Sequence, residues 1–265
     1  MGGRRILMGD RNRKGLKYDF NGKAALVTGG AAGIGRVIAL AFARQGASVV
    51  VADINLAGAQ ETIRRIEAVG GTGVSRQADV ASEEDVRNLI AFAVERYGKL
   101  DFACNNAGIG SGQMPIAELP RERWDRIIAV NLTGVFQCLK YELQQMVKQG
   151  SGSIVNIASV ASFIGSPGMA GYVATKHGVM GLTKTAALEV ATKGIRVNAV
   201  APGIVNAGLT DSSSKEFIET ALAAHPIGRM AEAEEIAAAV VWLCSDEASF
   251  VLGHTLPVEG GMTIR

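Results

Sequence analysis

The sequence predicts an α/β protein: a doubly wound, parallel, seven-stranded sheet with helices on both faces, in a single domain. Three observations carry this. Short β-branched and apolar runs alternate with stretches of helical period from Lys23 onward. The runs are apolar throughout, as strands covered on both faces are, and right-handed crossovers then place helices on either side. The first run also empties into a glycine-rich loop that opens a helix. In such sheets ligands lie at the carboxyl ends of the strands, so the residues at those ends carry the search for function.

Bulk properties narrow the field. A chain of 265 residues with 48% apolar content can bury a full core, and the length suits one α/β domain. A net charge of +2 and few aromatics argue against nucleic acid or another polyanion as partner. Cys104, Cys138 and Cys244 are far apart and set among apolar residues, which reads as reduced, buried thiols in a cytoplasmic protein. His177, His225 and His254 are scattered, so no metal is expected. Residues 1–19 carry Arg4, Arg5, Arg11, Arg13, Lys14 and Lys17 around a short apolar step, Ile6 to Met8. They read as a flexible basic leader ahead of a domain over 20–265, and no stretch is long enough for a membrane span.

The elements follow in order. Lys23–Thr28 is the first strand, and Thr28-Gly29-Gly30-Ala31-Ala32-Gly33-Ile34-Gly35 leads into a helix that runs through Gln45. Helix N-terminal amides attract phosphate and glycines admit a pyrophosphate closely, so Gly29, Gly33, Ile34 and Gly35 are candidate dinucleotide contacts. A ligand-free turn is the plainer alternative, disfavoured by the strand before and the helix after. Ser48–Ala52, the second strand, ends at Asp53, twenty residues after Gly33. A carboxylate there accepts from both ribose hydroxyls and repels a 2′-phosphate, which favours NAD over NADP. As a helix cap instead, Asp53 would leave the cofactor open. Arg36, the one nearby cation, is expected on the solvent face of its helix. Gly73–Gln77 is the third strand, and Asp79 and Val80 at its end suit the amino group and face of an adenine. Ser82 with Asp85 forms a helix cap. Leu100–Cys104, the fourth, ends in Asn105-Asn106-Ala107-Gly108. Asn106, Ala107 and Gly108 let the loop lie against a ribose, although alone the tetrapeptide is an ordinary turn.

A helical pattern from Arg123 to about Lys148 contains Asn131, a poor mid-helix residue whose amide competes with backbone bonds, and this predicts a kink or a bound water. Ser153–Ala158, Ile195–Ala201 and Thr255–Val258 complete the seven strands. The fifth delivers Ser159 to a loop, after which Tyr172 and Lys176 open a helix. Residues four apart share one helical face, so this phenol and ammonium can act on one small volume. A phenol with its ordinary pKa near 10 works poorly at neutral pH, and a cation one turn away stabilises the phenolate.

Thr28-Gly-x-x-x-Gly33-Ile-Gly35, Asn105-Asn-Ala-Gly108, Asn131, Ser159, Tyr172-x-x-x-Lys176 and Pro202-Gly203 together resemble the short-chain dehydrogenase/reductase family in its compact form, from Phe20 to the C-terminus. The resemblance implies a Rossmann fold and a nicotinamide dinucleotide. It implies that Tyr172 is the general acid/base, that Lys176 also holds the nicotinamide ribose, that Ser159 donates to the reacting oxygen, and that Asn131 keeps a water joining Lys176 to solvent. Pro202, Gly203 and Val205 would lie by the nicotinamide carboxamide. The family's threonine for that carboxamide is replaced by Ala207, so the backbone of Ile204 or Val205, helped by Asn206 or Thr210, takes its place. A homotetramer built through the two long helices and the last strand is also implied.

Residues 203–230 read as a substrate lid around a short helix, Lys215 to Ala224. The other substrate walls, 110–115 and 160–169, contain Met114, Val160, Phe163, Ile164 and Met169 and no Arg or Lys, with Gln113 and Ser162 as candidate polar contacts. The expectation is NAD-dependent hydride transfer on a neutral secondary alcohol or ketone. The alternatives are an NADP-dependent ketoreductase of carrier-bound acyl groups, opposed by Asp53, and a non-catalytic dinucleotide sensor, opposed by the intact Ser159, Tyr172 and Lys176. A sugar epimerase would need more chain after Lys176.

Overall fold

The computed structural model describes residues 18–206 and 215–264. Strands β1 (Ala24–Thr28), β2 (Ser48–Asp53), β3 (Thr72–Gln77), β4 (Phe102–Asn105), β5 (Gly152–Ile157), β6 (Ile195–Pro202) and β9 (Thr255–Val258) form one sheet in the order β3-β2-β1-β4-β5-β6-β9. Every pairing is parallel; Val27, for example, pairs with Val51 on one side and Cys104 on the other. All seven expected strands are present. Between β1 and β4 the winding reverses, which opens a crevice at the carboxyl ends there.

Helices α1 (Gly33–Arg44), α2 (Leu56–Ala68) and α8 (Ala233–Cys244) cover one face. Ile38, Phe42, Ile236 and Val240 bury there without exposed surface. Helices α3 (Glu83–Tyr97), α5 (Gly134–Gln149) and α6 (Ala170–Val190) cover the other, where Leu89, Met146 and Val179 are equally buried. The expected cap of α3 is present: Asp85 N donates to Ser82 Oγ at 3.2 Å. Cys104, Cys138 and Cys244 are all free and buried. Among the described residues no helix is long and apolar enough to cross a membrane.

Three element boundaries differ from expectation. Tyr18 and Asp19 belong to the fold rather than to a leader, because the Tyr18 ring stacks on Phe20 at 5.9 Å and its amide donates to Gln45 Oε1 at 2.8 Å; residues 1–17 lie outside the described residues. The helix expected from Arg123 is three pieces, α4 (Arg121–Ile128), a π-helical turn (Ala129–Thr133) and α5. Two short parallel strands were not anticipated, β7 (Val205–Asn206) and β8 (Ala231–Glu232). Their two-residue length leaves no periodicity to read. They close the base of the 203–230 segment, within which α7 (Lys215–Ala223) stands as expected.

Candidate active site

The glycine-rich loop is held by its carbonyls. Asn106 Nδ2 donates to Thr28 O at 3.0 Å and Gly29 O at 3.1 Å, Thr62 Oγ1 donates to Gly30 O at 2.7 Å, and the Arg36 guanidinium donates to Ala31 O. The carbonyls are thus engaged from inside the fold. The first turn of α1 carries no acidic residue, and its N-cap, Ala32, supplies no side-chain bond, so its amides stay open to an anion. Sterics explain two glycines: Gly29 has φ +66° and an added Cβ would sit 2.7 Å from Ala107 Cα, and a Cβ on Gly35 would overlap the Gly29 carbonyl. Ile34 packs its side chain on the core, leaving only backbone at the loop. Gly33, also left-handed at φ +52°, opens the helix.

Arg36 is therefore only partly exposed and is turned toward α2. Its aliphatic stem crosses to α2, where Nε donates to Thr62 Oγ1 at 3.0 Å, and burial lowers its pKa. Asp53 is not a helix cap; Asn55 caps α2. One Asp53 oxygen accepts from Ala31 N at 3.0 Å and the other from Asn55 N at 2.9 Å, which aims the carboxylate at the loop with acceptor capacity to spare. Asp79 accepts from Ala81 N at 2.9 Å, and its own amide donates to Asp85. Val80 packs on Gly134, where a Cβ would clash with its side chain. Ala107 N donates to Thr28 Oγ1 at 3.2 Å, and Gly108 lies beside Asn131. A dinucleotide fits this cradle, since Gly29, Gly30 and Gly35 have no room for side chains and the amides that open α1 carry no side-chain cap.

Beyond β5 the Ser159, Tyr172 and Lys176 side chains converge. Ser159 Oγ accepts from Ala161 N at 3.2 Å, which fixes it near enough to the Tyr172 hydroxyl to influence its ionisation. The Lys176 ammonium lies 5.6 Å from the centre of the Tyr172 ring and donates to Ile157 O at 2.7 Å. Burial pushes the Lys176 pKa down to about 8. Burial pushes Tyr172 up from its ordinary value, and the Ser159 hydroxyl works against that rise.

Asn131 lies in the π turn, buried, and uses both ends of its amide on one residue: Ile109 N donates to Oδ1 and Nδ2 donates to Ile109 O, each at 2.8 Å. The irregularity expected at Asn131 is present as a π turn, and the clasp ties the loop after β4 to the helix. After β6, Gly203 N donates to Val258 O at 3.0 Å, and Ile204 N donates to the buried His225 ring at 3.2 Å. Pro202 ends β6 and Val205 is buried in β7. Ala207 and Thr210 lie outside the described residues.

Two substrate-wall expectations change. Ser162 is fully buried and donates to Lys176 O at 2.8 Å, so it braces the helix instead of facing a substrate. A cation does reach the 110–115 wall, since α4 delivers the Arg123 guanidinium to Ser111 O beside Gly112. Gln113 stays exposed, and Met114 N donates to Gly168 O at 2.9 Å, joining the two walls. Sequence reading also missed a buried polar chain under the site: Glu142, Asn105, Asn156 and Thr183. A signal was present, because Glu142 falls one turn from both Cys138 and Met146 on the buried stripe of α5.

Known proteins share these features. The family described as enoyl-(acyl carrier protein) reductase matches residues 29–263. Cyclohexanol dehydrogenase of Acinetobacter sp. (strain SE19) is 47% identical over 94% of this chain and 98% of its own length. A 3-oxoacyl-(acyl-carrier-protein) reductase of Staphylococcus aureus is 43% identical over 91% and 98%. The crystal structure of NAD+-bound xylitol dehydrogenase superposes with a TM-score of 0.87 at 34% identity, covering 91% of this chain and 99% of that one. The chain belongs to the short-chain dehydrogenase/reductase family of oxidoreductases.

Proposed function

We propose that the protein is an NAD(H)-dependent oxidoreductase that moves a hydride between the nicotinamide and a neutral secondary alcohol or ketone, with Tyr172 as general acid/base. The observation that carries this is the meeting of Ser159, Tyr172 and Lys176 at the end of β5, on the sheet edge that also holds the glycine loop. When bound, the dinucleotide supplies hydride chemistry and, oxidised, a positive charge. Ser159 and Tyr172 hold the substrate oxygen between them, and the Tyr172 hydroxyl exchanges its proton with that oxygen. Lys176, anchored on Ile157 O, holds the ribose and passes the proton on. The π turn at Asn131 provides the place for a relay water, the wide turn leaving carbonyls outside the usual helical bonding.

Asp53 supports NAD, since a carboxylate at the end of β2, bonded to the loop amide of Ala31, repels a 2′-phosphate. Arg36 does not offset it, being committed to Ala31 O and Thr62. The second reading, an NADP-dependent ketoreductase of carrier-bound acyl groups, draws on the Staphylococcus aureus relative and on Arg123 at the pocket wall. The cyclohexanol dehydrogenase relative and the apolar side chains of 160–169 favour a neutral alcohol. The lid role is assigned to the segment after β6, of which 203–206 and 215–230 are described. A homotetramer would cover Phe136 on α5 and Leu188 on α6, both exposed; a monomeric mass in light scattering removes that assembly.

The test is a binding titration with NAD and NADP beside a turnover screen of neutral cyclic and acyclic alcohols, with Tyr172→Phe as control. The expected outcome is tighter NAD binding, turnover of a neutral alcohol, and loss of at least about a hundredfold in turnover in Tyr172→Phe with NAD binding retained. Preference for NADP with a carrier-bound ketone, or full activity of the variant, refutes the proposal.

A further inference from the structure

Glu142 has no exposed surface, and its carboxyl meets an amide at the end of β4. Asn105 Nδ2 donates to Glu142 Oε2 at 2.9 Å and to Asn156 Oδ1 at 3.0 Å; Asn156 Nδ2 donates to Thr183 Oγ1 at 2.9 Å. Within this group of four side chains two atoms lack a partner, Asn105 Oδ1 and Glu142 Oε1, and both are sealed from solvent. With an ionised carboxyl both are acceptors and neither can serve the other. A proton on Oε1 changes that. A carboxylic acid and a primary amide pair through two opposed hydrogen bonds, and one of the two, Nδ2 to Oε2, is already made.

We propose that Glu142 is a positioning residue that keeps its proton in the folded protein, its acid pairing with the Asn105 amide in a two-hydrogen-bond ring that holds the end of β4 beneath the dinucleotide loop. An unpaired buried charge is costly, and here burial raises the Glu142 pKa to about 7 against the opposing Asn105 hydrogen bond. The titratable groups that sense Glu142 are Cys104 from β4 and Cys138 on its own helix, thiols kept neutral by burial. β5 and α6 present Asn156 and Thr183, which do not titrate. The reach of the ring is short and direct. Asn105 is followed by Asn106 and Ala107, which grip Thr28 and Gly29, and Asn156 by Ile157, which receives Lys176. The consequence for cofactor binding rests on the function proposed above; the protonation does not.

The experiment compares wild type with Glu142→Gln, whose amide supplies an N–H where the acid has its O–H and does not titrate. A raised carboxyl pKa makes the folded chain the stronger proton binder, so wild-type stability is full below the ordinary glutamate value and is lost as pH rises through the folded one. In urea unfolding the ratio of the wild-type to the variant unfolding constant should climb about tenfold per pH unit from about pH 4.5 and level off above about 7. Difference infrared at pH 6 should show a protonated buried carboxyl in wild type that the variant lacks. A flat ratio, or no such band, overturns the proposal, and the wild-type band decides the matter should the variant fail to fold. The KM for NAD should rise with pH in wild type relative to the variant, with kcat moving less; a flat KM ratio beside a sloping stability ratio overturns the positioning role. A band and a stability slope in a protein that binds no nicotinamide dinucleotide would refute the proposed function and leave the protonated ring standing.

Discussion

Replacing Lys176 with methionine should cost the enzyme its activity while leaving its neutral-pH stability nearly unchanged, and the near-cancellation can be worked from the structure. The ammonium is almost fully buried, and burial lowers its pKa from 10.5 to about 8. A displacement of that size is worth about 3 kcal/mol against the charged form. Methionine removes this cost but leaves Ile157 O without its 2.7 Å donor, a loss of about 1–3 kcal/mol. The sign of the pH dependence follows from the direction. A base with a lowered folded pKa is charged more readily in the unfolded chain, so wild-type stability rises with pH between about 8 and 10.5. The methionine variant lacks that rise. Urea unfolding of both proteins at intervals from pH 7 to 10.5 should show wild type gaining about 3 kcal/mol on the variant. Ionisations common to both cancel in the difference. A gap that does not change with pH would refute the argument, since it would mean that the lysine is not destabilised as a cation.

Two further outcomes test other parts of the site and core. Asp53→Ala should weaken NAD binding and narrow the discrimination against NADP by about tenfold or more, measured by paired titrations; unchanged selectivity would reduce Asp53 to a loop brace at Ala31 and Asn55. Phe42→Ala should destabilise by about 3–5 kcal/mol in urea, because Phe42 has no exposed surface and stacks on Phe102 at 5.7 Å; a loss below about 1 kcal/mol would mean that the aromatic cluster collapses to fill the space.

Legibility in the sequence followed contact range. The glycine loop, the Asp53 position and the Tyr172–Lys176 spacing are local patterns, each set within one strand-to-helix turn or one helical turn, so neighbouring residues alone are enough to place them. The break in regular helix at Asn131 was legible for the same reason, as a poor helix residue in a helical run. Its cause was not: the amide clasps Ile109, twenty-two positions away. Arg36 was misplaced because an exposed helix position and a position under the neighbouring α2 look alike until α2 is docked. Ser162 was misplaced because a serine near a site can face either a substrate or a helix carbonyl, and here Lys176 O is close enough to take it.

By itself the sequence determined the strand and helix alternation, the apolar faces that bury against the sheet, and the residue types that an oxidoreductase of this family requires. These depend on periodicity and composition, which are properties of neighbouring residues. Only the tertiary structure decided what holds the site in shape: Thr62, Arg36 and Asn106 on the loop carbonyls, Arg123 on Ser111, and Glu142 with Asn105 beneath them. Most of these braces join elements that are remote in the chain and become adjacent only when the sheet is assembled. A buried polar group reveals its role by which partner it meets and which of its atoms is left without one, and that is a property of the packed interior alone.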